Sequence, residues 1–174
     1  MNEFEYHKLL PVGEDDTPYR HLTSDFVSKG MFEGREILKV DTAGLTMLAE
    51  QSICDSAHLL RPGHLAQLRK ILDDPEASEN DRFVAMEMLK NANISAGGIL
   101  PMCQDTGTII VMGKKGNRVW TEGEDEAALA LGAMNAFLKT NLRYSQLAPL
   151  DMFKESNTRN NLPAQIEIYA DQGD

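Results

Sequence analysis

The sequence predicts a mixed α/β fold, with a helix-rich N-terminal half followed by a small sheet on which further helices pack. Three observations carry this. Apolar residues recur at three- and four-residue steps in three consecutive segments between Asp41 and Gly98. The pattern then changes to the β-branched run Thr108-Ile109-Ile110-Val111-Met112, which suits a buried strand. Near the C-terminus, Gln165-Ile166-Glu167-Ile168-Tyr169 alternates as a half-buried strand does.

Residues 1–40 mix charges, prolines and short apolar pieces without a sustained period, and they read as an extended, partly ordered arm with a short strand inside Phe32–Val40. The first helix takes Asp41 or Thr42 as its N-cap. It places Leu45, Leu48, Ala49, Ile53, Ala57 and Leu60 on one face and stops before Pro62. A second helix is marked by Leu65, Leu68, Ile71 and Leu72 and stopped by Asp73-Asp74-Pro75. The third begins at Ser78, with Asp81 placed to complete a capping box; Ala85, Met88, Leu89 and Ala92 form its apolar face, and Gly97-Gly98 ends it.

After the strand at 108–112, Gly113-Lys114-Lys115-Gly116-Asn117 reads as a solvated turn leading to a short Val119-Trp120 strand, and it lacks the spacing of a phosphate loop. A fourth helix spans Glu124 to Lys139, with Ala127, Leu131, Met134 and Leu138 on one face. The last forty residues are loop-rich up to the terminal strand. A strand needs neighbours, so residues 41–174 are expected to be the first part of a larger domain that continues past the chain end.

The 174 residues, 42% of them hydrophobic and 25% charged, suffice for one packed core. Seventeen basic against 27 acidic residues give a formal charge of -10, which disfavours nucleic acid and anionic membrane surfaces as partners. Apolar runs fall far short of the ~20 residues that cross a bilayer, and the first residues lack a basic and apolar leader, so the expectation is a cytoplasmic protein. Two cysteines, Cys54 and Cys103, do not form a disulfide framework. Cys54 lies beside Ile53 in the first helix and reads as a small packed residue. The four histidines are too scattered for a zinc site.

Chemistry concentrates in Cys103-Gln104-Asp105-Thr106-Gly107-Thr108, where a thiol, an amide, a carboxylate and two hydroxyls crowd between Pro101 and the expected strand. The glycine permits a tight bend and the close approach of a ligand. From residue chemistry alone, a polar turn that satisfies its own backbone groups accounts for the segment equally well.

The stretch from Pro101 to Thr108 resembles the signature of class I, iron-sulfur-dependent fumarases. The similarity extends through Phe32-Glu33-Gly34, Leu60-Arg61-Pro62, Asp74 to Asp81, Gly123 to Leu129, Asn141 to Gln146 and Asn161 to Ile166, which is nearly the whole chain. The resemblance implies a hydro-lyase that reversibly hydrates fumarate to L-malate, with a 4Fe-4S cluster acting as Lewis acid, and a homodimer. It implies that Cys103 is one of three cysteine ligands of the cluster, that Gln104 hydrogen-bonds the dicarboxylate substrate, and that Asp105 contacts substrate and is the candidate proton donor. A donating carboxylic acid needs burial to favour its neutral form. Thr106 becomes a supporting residue.

The resemblance also implies that Arg143 grips a substrate carboxylate, for which a planar guanidinium with paired donors is suited. Without it, Arg143 reads as a helix C-terminal arginine favoured by the dipole. With one matching cysteine, the chain is expected to be inactive alone and to need the remainder of the same polypeptide, or another subunit. Arg159-Asn160 departs from the family pattern, which has a glycine-containing stretch there. Three alternatives stand beside this reading: a tartrate dehydratase-type subunit, a non-catalytic folding or dimerisation domain, and a thiol enzyme using Cys103 as nucleophile.

Overall fold

The computed structural model describes residues 4–7 and 18–173. In chain order its elements are β1 (Val27–Phe32), β2 (Arg35–Val40), α1 (Thr42–His58), α2 (Pro62–Asp73), α3 (Glu79–Ser95), β3 (Ile110–Gly116), β4 (Val119–Thr121), α4 (Asp125–Lys139), β5 (Leu147–Asp151), β6 (Lys154–Asn157) and β7 (Gln165–Asp171). The mixed α/β class follows the prediction. The strands form three small sheets among the described residues, β1-β2-β4, β3-β7 and β5-β6.

Within the expected arm, residues 1–3 and 8–17 lie outside the described residues, whereas residues 27–40 form a regular antiparallel hairpin. Its turn is Glu33-Gly34, with both φ angles positive at 47° and 75°, a geometry whose twist matches that of the flanking strands. Ile37 is buried, and β2 pairs in parallel with β4 through Leu38↔Val119. That partner lies beyond three helices, which is why a local reading of residues 27–40 found only one short strand.

Helices α1 and α3 start where their side-chain caps place them. Asp41 Oδ1 accepts the Ala43 N–H at 2.8 Å at the head of α1. At α3, Ser78 Oγ accepts the Asp81 N–H at 3.1 Å while the Asp81 carboxylate accepts the Ser78 N–H at 2.9 Å, completing the predicted capping box. Pro62 does not follow a helix extending to Leu60. Instead α1 ends at His58, and Pro62 opens α2, where its missing N–H leaves no bond unmade.

The packing of α1 against α4 corrects the predicted face of α4. The buried residues are Ala128, Leu129, Gly132, Ala133, Ala136 and Phe137, while Leu131 and Leu138 are about half exposed. Small residues win this face because the backbones approach closely. A Cβ on Gly132 would meet the Thr46 carbonyl at 2.4 Å, and Thr46 Oγ1 donates to the Ala128 carbonyl at 3.0 Å. On α1 and α3 the apolar stripes are likewise narrower than expected, with Leu48 and Met88 about half exposed.

Strand β3 also differs from its prediction. It begins at Ile110 and runs through Gly113-Lys114-Lys115-Gly116, so that segment is strand, and the turn is Asn117-Arg118. Its partner is β7, as expected, in parallel register from Ile110↔Gln165 to Gly116↔Asp171. Ile110 and Met112 are more than half exposed, so β3 is not buried on both faces among the described residues. The β5–β6 hairpin lies in a region read as loop; Met152 and Phe153 at its tip are exposed, so no apolar alternation announced it.

Candidate active site

The Cys103–Thr108 segment leaves α3 and enters β3 as an irregular turn held at its start. The Met102 N–H donates to the Ala57 carbonyl at the end of α1, and Asn91 Nδ2 donates to the Met102 carbonyl, each at 2.9 Å. Gly107 takes φ +57°, the left-handed conformation that makes the bend and that a glycine adopts without strain. Cys103 is exposed, and the Asp105 N–H donates to its Sγ at 3.4 Å.

Arg143 arrives from the other side. Leu142 is buried and Asn141 Nδ2 donates to the Ile99 carbonyl at 2.9 Å, which lays the segment after α4 along the turn. Arg143 Nη2 thereby stands 3.3 Å from Asp105 Oδ1. Because α4 ends at Lys139 with Thr140 as its C-cap, Arg143 lies outside the last helical turn, and the dipole reading of this residue is corrected. Asp105, with its side chain 85% exposed, does not have among the described residues the burial that a proton donor was expected to need.

Beneath this pair lies a polar network. Thr106 Oγ1 donates to the Arg143 carbonyl at 2.5 Å, and Thr108 Oγ1 donates to Gln146 Oε1 at 2.9 Å. Asn161, buried to 1% exposure, accepts the Ser145 and Gln146 N–H groups on Oδ1 at 2.9 and 3.0 Å and donates from Nδ2 to the Gly107 carbonyl at 3.0 Å. Residue-by-residue reading missed Asn161 and Ser145 as site components. Their signal was their place in the Asn141–Gln146 and Asn161–Ile166 stretches of the family resemblance, with no role attached to either.

Cys103, Asp105 and Thr106 line one end of a cleft of about 850 Å³ whose walls are α1 and β3. The wall is apolar, with Leu45, Ile53, Ile110 and Met112. Gln104 is exposed and, like Arg143, is not among the cleft-lining residues. At the far end, Lys115 Nζ donates to Asp125 Oδ2 at 2.5 Å and to Thr121 Oγ1 at 2.7 Å, and Thr121 donates in turn to Asp125. Burial acts to raise the Asp125 carboxyl, but the hydrogen bonds from Lys115 and Thr121 and the Lys115 charge outweigh it and hold the group below the ordinary carboxylate range.

Among the described residues no group of three or more His, Cys, Asp and Glu side chains converges as a metal site. Cys54 is half-buried on α1, where burial, then the charges of Glu50 and Asp55, push its thiol up against the opposing effect of Lys139. This is the environment of a packed thiol, as the sequence suggested. The donor set therefore fits one corner of an iron-sulfur cluster, the exposed Cys103 thiol, and no more.

A family model described as fumarate hydratase (fumerase) matches residues 46–174. The chain is 58% identical over 171 residues to the aerobic class I fumarate hydratase of Escherichia coli K12, covering 98% of this chain and 31% of that protein. It is 55% identical over the same length to the anaerobic class I fumarate hydratase of that organism. To the mitochondrial fumarate hydratase 1 of Leishmania major it is 51% identical, over 99% of this chain and 32% of that protein. The chain belongs to the fumarate hydratase family, and it spans about a third of the length of these relatives.

No helix among the described residues is long and apolar enough to cross a membrane.

Proposed function

We propose that this chain supplies one wall of the active site of a class I fumarate hydratase, which adds water reversibly to fumarate to give L-malate. The observation that carries the reading is the meeting of Arg143 with Asp105 at 3.3 Å, in the turn that also bears Cys103. Arg143, paired with the exposed Asp105, brings a planar guanidinium to this turn on a chain of net charge -10.

Hydration adds hydroxide to one alkene carbon and a proton to its neighbour, so the site must hold both carboxylates of fumarate and govern one proton. Arg143 binds one carboxylate through its paired donors, exchanging its contact with Asp105 for the ligand. Gln104, exposed beside Asp105, hydrogen-bonds the substrate. Asp105 holds or releases the proton at its Oδ1 or Oδ2; enclosure of the site by further polypeptide would supply the burial it lacks here. Cys103 is one of three thiolate ligands of a 4Fe-4S cluster. When bound, that cluster supplies Lewis acidity for activating water or a hydroxyl group.

With two cysteines in the chain, one of them packed in a helix, the other thiolates come from polypeptide outside these residues, and the chain is inactive alone. A homodimer and a cytoplasmic location complete the reading. The test joins this chain to the part of the Escherichia coli aerobic relative that it does not cover and reconstitutes the product anaerobically. Fumarate hydration is expected, and Cys103→Ser is expected to lose iron and activity together. Turnover of tartrate but not fumarate would overturn the substrate assignment.

A further inference from the structure

Arg143 and the Cys103–Gly107 turn are far apart in sequence, and a set of hydroxyls and one amide is committed to joining them. Thr106 donates its one hydroxyl hydrogen to the Arg143 carbonyl at 2.5 Å. Ser145 Oγ lies 3.1 Å from Thr106 Oγ1 and 3.2 Å from the Gly107 carbonyl, so its own hydrogen serves the turn from the other side. Asn161 bridges both strands of chain through three bonds, from a position at φ 56° that asparagine tolerates better than most residues. The pair above the network is different. Arg143 and Asp105 are 54% and 85% exposed, and an exposed ion pair holds two flexible side chains only weakly. Their relative placement therefore comes from the backbone clamp beneath.

We propose that Thr106, Ser145 and Asn161 are positioning residues that fix the backbone of Arg143 against the turn carrying Cys103 and Asp105, before any ligand binds. For the ligand this rests on the function proposed above; the clamp itself stands on geometry.

Thr106→Val keeps the side-chain shape and removes the hydroxyl, whereas Thr106→Ser keeps the hydroxyl. In the chain itself, Thr106→Val is expected to shift the backbone amide signals of Arg143, Tyr144 and Ser145. It should also speed hydrogen exchange at Ser145 and Gln146 by roughly tenfold, with Thr106→Ser restoring both. Ser145→Ala should move the same signals. In the chain joined to the rest of the Escherichia coli relative, Thr106→Val is expected to lower kcat/KM for fumarate by ~10–100-fold, chiefly through KM, and Thr106→Ser to recover most of it. Amide signals of 143–146 left unmoved by both substitutions would overturn the clamp. Moved signals with unchanged kcat/KM would overturn positioning. A joined protein that leaves fumarate untouched while the Thr106→Val shifts appear would overturn the functional reading and uphold the clamp.

Discussion

The guanidinium of Arg143 stands 3.3 Å from the carboxylate of Asp105 across a separation of 38 positions in the chain. Replacement of Arg143 by lysine keeps the charge and loses the planar fork, so in the joined, reconstituted protein kcat/KM for fumarate is expected to fall by ~10–100-fold, mostly through KM. Because the pair is exposed, stability should change by less than ~1 kcal/mol. Steady-state kinetics and thermal melting separate the two effects; a large loss of stability with unchanged KM would mark Arg143 as structural.

Gly132 lies where α4 packs closely on α1. A methyl group there meets the Thr46 carbonyl at 2.4 Å, Ala49 Cβ at 2.6 Å and the Glu50 N at 2.9 Å, two of them backbone atoms that cannot swing aside. Gly132→Ala is expected to destabilise the chain by about 3 kcal/mol or more, measured by urea unfolding. Gly63, in the first turn of α2, has open space around its Cβ position, and Gly63→Ala should leave stability unchanged or raise it by up to ~1 kcal/mol.

Asp125 carries the acid sensitivity of the α4 N-terminus. Its folded-state carboxyl is held below its ordinary value of 3.8 by Lys115 and Thr121, against the effect of burial. A depressed carboxyl contributes stability that is complete above the unfolded value and is lost as pH falls through the folded one. Unfolding free energy is therefore expected to drop as pH falls below about 4, with part of the slope missing in Asp125→Asn. Equal slopes in the two proteins would show that the Lys115–Asp125 contact contributes nothing across this range.

Arg159 sits at φ 61°, where a side chain strains the backbone, and its N–H donates to Asn157 Oδ1 at 2.8 Å. The family resemblance led to the expectation of a glycine-containing stretch here. Arg159→Gly is expected to stabilise the chain by a few tenths to ~1 kcal/mol, because relief of the left-handed strain exceeds the added freedom of the unfolded chain. A lower melting temperature in the glycine variant would contradict this.

The local features were readable from residues that act on their neighbours. The Ser78–Asp81 capping box and the Asp41 cap rest on short-range chemistry, and the strands β3 and β7 on a β-branched run and an apolar alternation, whereas the register that joins those strands spans the 55 positions from Ile110 to Gln165. The Lys114-Lys115 segment was misread because two glycines and two lysines look like a solvated turn. Only the approach of Asp125 and Thr121 shows why a strand there keeps a lysine half-hidden. The face of α4 was misread for a similar reason: large apolar residues were assigned inward, yet the close α1 backbone admits only alanine and glycine along much of that face.

By itself, then, the sequence determined the mixed α/β class, the capped starts of α1 and α3, the family and the six residues that concentrate the chemistry, since each depends on residues adjacent in the chain. Tertiary structure alone decided which side of each helix is buried and which distant groups meet. The contact of Arg143 with Asp105, and the buried Asn161 amide that joins their two loops, arise from the packing of elements whose sequence separation leaves no local pattern to read.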